Sequence, residues 1–197
     1  MNLKLVVAIL LTWFLFACGS GGVLPRDLGE LQTQPAYNGE RVLKGDSIFT
    51  FCAPYINAIN RAYPGDTSFD MLNLENYYSG VDTDAEYIFL IGINDIIDGI
   101  EDGYINRMAR IFNHYIEKDV TVISILPTFS KQLNREVIKQ NAALENLTGL
   151  YGFKYQNVYE TFTSGAVSNS IYYFDEYHLN ESGCDLLFNQ ALGKDRL

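Results

Sequence analysis

The stretch "VLKGDSIF" (42–49) runs apolar residues into Gly45-Asp46-Ser47 and turns apolar again. Ser47 is therefore either an ordinary turn serine or a nucleophile set on the sharp bend between a strand and a helix. A hydrolytic serine needs a base, a group that orients the base, and donors for the oxyanion that develops on the substrate carbonyl. The chain has two histidines, His114 and His178. His114 lies in a helical pattern between the apolar stripe residues Phe112 and Tyr115 and is expected to be a partly exposed helical histidine. His178 lies in "YYFDEYHLNESG", an irregular stretch with Asp175 three residues upstream. In one tight turn that spacing lets the carboxylate take the Nδ1 hydrogen and leaves Nε2 to accept a proton. Two further pieces are "PGDT", with Gly65 ahead of a short helix whose backbone N–H groups can face an anion, and "IGIND", with Gly92 and Asn94 at a strand end. A side-chain amide at Asn94 is a fitting oxyanion donor. Singly each fragment arises often by chance; together they describe acyl transfer through a serine.

These residues need elements to bring them together. Arg41 to Lys44 is a short strand candidate ending at Gly45, and Ile48 to Ala62 then has a helical pattern starting at Ser47. "GDTSFDMLNL" offers Asp66 or Thr67 as the cap of a second, short helix. "EYIFLIG" (86–92) has the unbroken apolar character of a strand buried on both faces. Ile105, Met108, Ala109, Phe112, Tyr115 and Ile116 form one apolar stripe at helical spacing. "VTVISILP" (120–127) predicts another buried strand stopped by Pro127. Asn134 to Leu150 is helical, with Gly152 just past its end. A weaker strand follows over 154–160 and a closing helix over 180–192. Strands alternating with helices of this length predict βαβ units and a parallel sheet covered on both faces. In such sheets ligands bind beyond the carboxyl ends of the strands, where Ser47 and Asn94 both fall.

The 197 residues suffice for one domain with a substantial core, and 48% hydrophobic against 19% charged residues predicts a globular chain. A net charge of −10 argues against nucleic-acid binding, because no basic face is left to neutralise phosphates. Neither histidine has closely spaced Cys or His partners, so no metal site is expected, nor any other cofactor.

Residues 1–17 have the architecture of a secretory signal: Lys4, an apolar run from Leu5 to Phe16, then small residues. Leu15-Phe16-Ala17-Cys18 resembles a bacterial lipobox, which implies cleavage before Cys18 and a lipid anchor on its thiol. Residues 18–40 are then a lipidated N-terminus and tether, rich in glycine and without periodicity, and 41–197 the domain. The expected location is the bacterial cell envelope, membrane-anchored and facing the periplasm or the cell surface. In that oxidising compartment Cys52 and Cys184 are the pair that remains, either bridged or as two buried thiols.

"GDSIF", "GDT" with Gly65, "GIND" and "DEYH" occur in the order of the blocks of the SGNH hydrolases, or GDSL esterases and lipases, which the chain resembles from about residue 41 to residue 190. Ile48 stands where the name-giving motif has Leu, and the region before "PGDT" is less strand-like than is usual there. The resemblance implies a three-layer α/β/α sandwich around a flavodoxin-like five-stranded parallel sheet. It also implies Ser47 as nucleophile, His178 as base and Asp175 as its orienter, with an oxyanion hole made by the N–H groups of Ser47 and Gly65 and the amide of Asn94. In that fold the first and last helices pack side by side, which would place Cys52 beside Cys184 for a disulfide.

The activity implied is hydrolysis of carboxylic O-acyl esters, with short acyl groups such as acetyl favoured because no long insertion is present to form a lid. Substrates are expected among small-molecule, polysaccharide or lipid esters, and the protein is expected to be a monomer. Rival readings are a lysophospholipase or lipase-like acyl hydrolase, an O-acyltransferase using the same residues, and a binding lipoprotein without activity.

Overall fold

The computed structural model describes residues 40–77 and 85–193; the expected signal sequence, Cys18 and all but the last residue of the expected tether lie outside the described residues. A five-stranded parallel sheet forms from β1 (Arg41–Gly45), β2 (Ile59–Asn60), β3 (Glu86–Leu90), β4 (Asp119–Ile123) and β5 (Lys154–Gln156), in the order β2-β1-β3-β4-β5. This is the α/β, flavodoxin-like order expected from the sequence. Val42, Leu43, Ile88, Phe89 and Ile123 have no exposed surface, as strands covered on both faces require.

The connections are α1 (Ser47–Cys52), α2 (Ser68–Tyr77), a short α3 (Ile93–Ile97), α4 (Tyr104–Phe112), α5 (Lys131–Tyr151) and the closing α6 (Glu181–Leu192). After β2 successive strands are added on the other side of β1, and right-handed crossovers then place α2, α4 and α5 on the face opposite α1. α6 returns to the α1 side. Phe188 stacks on Phe49 at 6.2 Å, and Cys184 is disulfide-bonded to Cys52 with their Cα atoms 5.2 Å apart. Across the sheet, Lys44 reaches Glu75 of α2 at 2.6 Å, and the Tyr115 hydroxyl donates to the same carboxylate at 2.8 Å.

Several boundaries differ from the sequence-based expectation. The helix expected from Ile48 to Ala62 stops at Cys52, because Pro54 cannot continue it; a 3₁₀ turn (Ala53–Tyr55) and the two-residue β2 follow. The stripe from Ile105 to Ile116 is α-helical only to Phe112, and Ile116 is 56% exposed while Ile111 is buried, so the buried face is rotated by about one residue. β4 ends at Ile123, short of Pro127, yet Ile125 stays buried: the Asn141 side chain accepts from its N–H at 2.8 Å and donates to its carbonyl at 2.9 Å, replacing a neighbouring strand. α5 starts three residues earlier than expected, because Ser130 caps it by accepting from the Leu133 N–H. The strand expected over 154–160 spans only Lys154–Gln156. A two-stranded antiparallel ribbon, β6 (Thr163–Ser164) with β7 (Val167–Ser168), follows it.

Candidate active site

β1 and β3 pair in register up to Gly45 opposite Leu90, so the chain leaves both strands at the same level of the sheet. From β1 it turns directly into α1. Asp46 caps that helix, its Oδ1 accepting from the Ile48 N–H at 2.9 Å, and Ser47 becomes the first helical residue. At this position the Ser47 N–H has no carbonyl one turn earlier in the helix to bond, which leaves it available to a ligand. Ser47 is 9% exposed.

His178 arrives from the far end of the sequence. The segment before α6 folds into a tight turn in which Tyr173 bridges Leu179 and the Phe174 N–H donates to the His178 carbonyl at 3.0 Å. Asp175 organises the turn with both oxygens. Oδ1 accepts from the Tyr177 and His178 N–H groups at 2.8 Å each, and Oδ2 lies 2.7 Å from His178 Nδ1. The opposite ring nitrogen, Nε2, is 2.9 Å from Ser47 Oγ. Burial opposes ionisation of Asp175, but the N–H groups of Tyr177 and His178 and the imidazole together outweigh it and hold the carboxyl below its ordinary range. An ionised Asp175 fixes the hydrogen on Nδ1 and leaves the Nε2 lone pair facing the serine hydroxyl. The relay Ser47–His178–Asp175 is a proton path from a hydroxyl to a base.

Gly65 lies in the turn Tyr63-Pro64-Gly65-Asp66, closed by the Asp66 N–H donating to the Tyr63 carbonyl at 3.2 Å. Proline at the second position and a glycine with φ +82° at the third make it type II; the third position requires positive φ. The Gly65 N–H takes no part in closing such a turn. The Tyr63 N–H donates to the Gly45 carbonyl at 3.2 Å, which ties this turn to the end of β1. After β3, Gly92 adopts φ +129°, and a Cβ there would sit 2.7 Å from Ile125 Cδ1, so only glycine lets the chain turn into α3. Asn94 follows, half-buried, with its side-chain amide donating to the Asp66 carbonyl at 2.9 Å. The amide carries two hydrogens, so one remains after this bond. The three segments that carry Ser47, Gly65 and Asn94 thus meet at one edge of the sheet, linked by backbone and amide bonds.

Beneath them a buried polar cluster joins Asp95 of the "GIND" motif, a residue expected to brace its loop by hydrogen bonds, to Ser68 and Arg107, which the sequence does not single out. Asp95, fully buried, accepts from the Ser68 N–H (2.9 Å), the Ser68 hydroxyl (2.5 Å) and Arg107 Nη2 (2.9 Å). Arg107 also donates from Nε to Ser68 Oγ (2.7 Å) and from Nη2 to the Ile100 carbonyl (2.6 Å). This cluster locks the start of α2 to α3 and hence the Gly65 turn to Asn94. Burial pushes the Asp95 carboxyl up, and the bonds from Ser68 and Arg107 offset only part of this, so it stays above its ordinary range. No local signal marks Arg107, because its partners are 12 and 39 residues away.

Two aromatic rings were likewise passed over. Phe51 lies one turn beyond Ser47, on the same face of α1, and Phe174 precedes Asp175. Phe174 stacks on the imidazole of His178 at 5.5 Å and Phe51 meets it edge-on at 5.0 Å. Of the tyrosines near the motifs, Tyr104 and Tyr173 are buried, donating to the carbonyls of Ile91 and Pro127. Among the described residues no group of three or more His, Cys, Asp or Glu side chains is placed to hold a metal ion.

No protein-family model matches this chain, and no curated protein does. Solved structures do. A GDSL-like lipase from Bacteroides thetaiotaomicron superposes with a TM-score of 0.70 at 20% identity, over 83% of this chain and 93% of that one. The fold is shared. An acetylxylan esterase from Geobacillus stearothermophilus matches with a TM-score of 0.61 at 14% identity, over 80% of this chain and 96% of that one. The OSK domain of Drosophila Oskar matches with a TM-score of 0.66 at 14% identity, over 88% of this chain and all of that one. At these identities the likeness is one of architecture, and function has to be argued from the site.

Proposed function

We propose that this protein is a serine esterase of the SGNH hydrolase family that cleaves carboxylic esters with short acyl groups. The observation that carries this reading is the relay in which His178 Nε2 lies 2.9 Å from Ser47 Oγ while Asp175 holds Nδ1 at 2.7 Å. The GDSL-like lipase and the acetylxylan esterase among the structural neighbours support it.

In the first half-reaction Ser47 Oγ attacks the ester carbonyl and its proton passes to His178 Nε2. The carbonyl oxygen becomes an oxyanion, stabilised by the Ser47 and Gly65 N–H groups and the free hydrogen of the Asn94 amide. Collapse breaks the carbon–oxygen bond to the alcohol, which leaves with the proton from Nε2. In the second half-reaction His178 takes a proton from water, hydroxide attacks the acyl-serine, and the acid departs as Ser47 regains its proton from Nε2. Asp175 stays ionised throughout and stabilises the transient imidazolium.

The test is labelling by a fluorophosphonate probe together with turnover of p-nitrophenyl acetate, butyrate and octanoate. Wild type should label and turn over, acetate fastest, while Ser47→Ala should do neither and lose about 10⁴-fold or more in kcat. A folded Ser47→Ala protein that keeps its esterase activity would refute the mechanism.

The envelope location belongs to the same proposal: Cys18 carries a lipid and the disulfide between Cys52 and Cys184 forms on export. Incorporation of radiolabelled palmitate that persists in a Cys18→Ser variant would overturn the anchor at that residue.

A further inference from the structure

The rings of Phe51 and Phe174 are 45% and 60% exposed, yet they touch each other, with centroids 6.1 Å apart, and both touch the imidazole of His178. Single exposed apolar residues are ordinary; a contiguous pair packed on a catalytic base is a surface with a partner. The chemistry of the base says which partner. To receive its proton, the leaving oxygen must come within about 3 Å of His178 Nε2, and hence within about 4 Å of the imidazole centre. The two phenyl centroids lie 5.0 and 5.5 Å from that same centre. The first carbons attached to the leaving oxygen therefore emerge beside the imidazole that both rings touch. The oxyanion donors and the acyl group belong to the Gly65 and Asn94 side of Ser47.

We infer that Phe51 and Phe174 form an apolar clamp for the leaving alcohol, and that the preferred substrates are esters of alcohols with an alkyl or aryl body. The inference rests on the esterase reading and adds the half of the substrate which that reading leaves open. Phe51 stands one turn from Ser47 on α1, and Phe174 is fixed by the bridge from Tyr173 to Leu179, so both rings sit on the elements that hold the nucleophile and the base. An apolar alcohol covers the exposed ring faces when it binds. A small or strongly hydrated alcohol leaves them in water.

The experiment measures kcat/KM on ethyl, butyl, hexyl and benzyl acetate, which share one acyl group and have primary alcohols of similar basicity. Wild type should favour hexyl over ethyl acetate by about tenfold or more, since each covered methylene contributes roughly 0.8 kcal/mol at most. In Phe51→Ala and Phe174→Ala that ratio should fall to about threefold or less, and in the double variant to about one. Phe51→Leu and Phe174→Leu, which keep an apolar surface, should retain most of it. The ratio is the readout because a merely structural loss lowers all four rates together. An unchanged ratio in the alanine variants, or no wild-type preference along the series, would overturn the clamp and leave the esterase standing. An unchanged ratio with turnover lost only on vesicle-borne esters would also overturn it, giving the rings to a lipid surface instead. No labelling and no turnover of any ester by wild type would overturn both the clamp and the reading beneath it.

Discussion

The loops that follow β1 and β3 leave the sheet side by side, and each buries an aspartate at the start of a helix, yet the two carboxylates are treated in opposite ways. Asp95 is surrounded: two bonds from Ser68 and one from the Arg107 guanidinium satisfy both of its oxygens. The Asp46 carboxyl has its cap bond from the Ile48 N–H to Oδ1, while its Oδ2 is buried with no hydrogen-bond partner among the described residues. Burial above all, with Asp66 and Asp95 nearby, pushes Asp46 up to about 7, while the Ile48 N–H pulls the other way. One loop is therefore a brace made of ionic bonds, and the other a site whose charge the fold scarcely supports. In the proposed mechanism Asn94 is an oxyanion donor and must not move during reaction, which suits the brace beneath it. Beside Ser47 a fully charged buried carboxylate is costly, and burial holds that group well above the ordinary carboxyl range.

The largest effect should come from breaking the brace. Arg107→Met leaves Asp95 buried with no cation, which should cost about 3–5 kcal/mol in urea unfolding. Arg107→Met combined with Asp95→Asn should recover a substantial part, because the stranded charge is then gone. A double variant no more stable than the single one would mean that Arg107 acts through packing alone.

The second test addresses the unsupported acid. A carboxyl whose folded value is raised binds its proton more tightly in the native state than in the unfolded chain. Stability therefore falls as pH rises from about 4, the ordinary carboxyl value, to about 7, and the penalty is complete above that. Asp46→Asn keeps an acceptor for the Ile48 N–H but carries no charge at any pH. The stability of the variant minus that of wild type should grow across this window by an amount on the order of 3 kcal/mol. A difference that stays flat between pH 4 and pH 8 would show that Asp46 is not desolvated as its burial implies.

Much of the fold that carries this contrast was legible in the sequence, and the reasons for the rest are local. β1, β3 and β4 show because their buried residues are consecutive and apolar. β2 does not, because two residues inside "NAINRAY" make a strand only by pairing with Val42 and Leu43, and the sole local warning against a long helix was Pro54. Asp175 and His178 could be paired on spacing, since three residues span one tight turn. Ser47 and His178 are 131 residues apart, and only the ordered motifs of the resemblance brought them together before the fold did. Arg107 was hidden because its role depends on two elements folding against its helix. Phe51 was readable in principle, one helical turn from the serine, but an apolar residue at that spacing is usually part of a core.

The smallest effect sharpens the comparison by adding the third helix start at this edge. α2 is capped by Thr67, whose N–H and hydroxyl both reach Asp70 Oδ2, at 3.0 and 2.6 Å. The Thr67 hydroxyl in turn accepts from the Asp70 N–H at 3.3 Å, which closes a reciprocal capping box of the kind that the alternatives Asp66 and Thr67 left open. Here the capping group at the helix end is a neutral hydroxyl, whereas at α1 it is the carboxylate of Asp46 itself. Thr67→Ala should therefore cost about 1 kcal/mol, and the same amount at pH 5 as at pH 8. If the cost instead varied with pH as that of Asp46 does, the three helix starts would share one electrostatic environment, and the division between a supported and an unsupported loop would not hold.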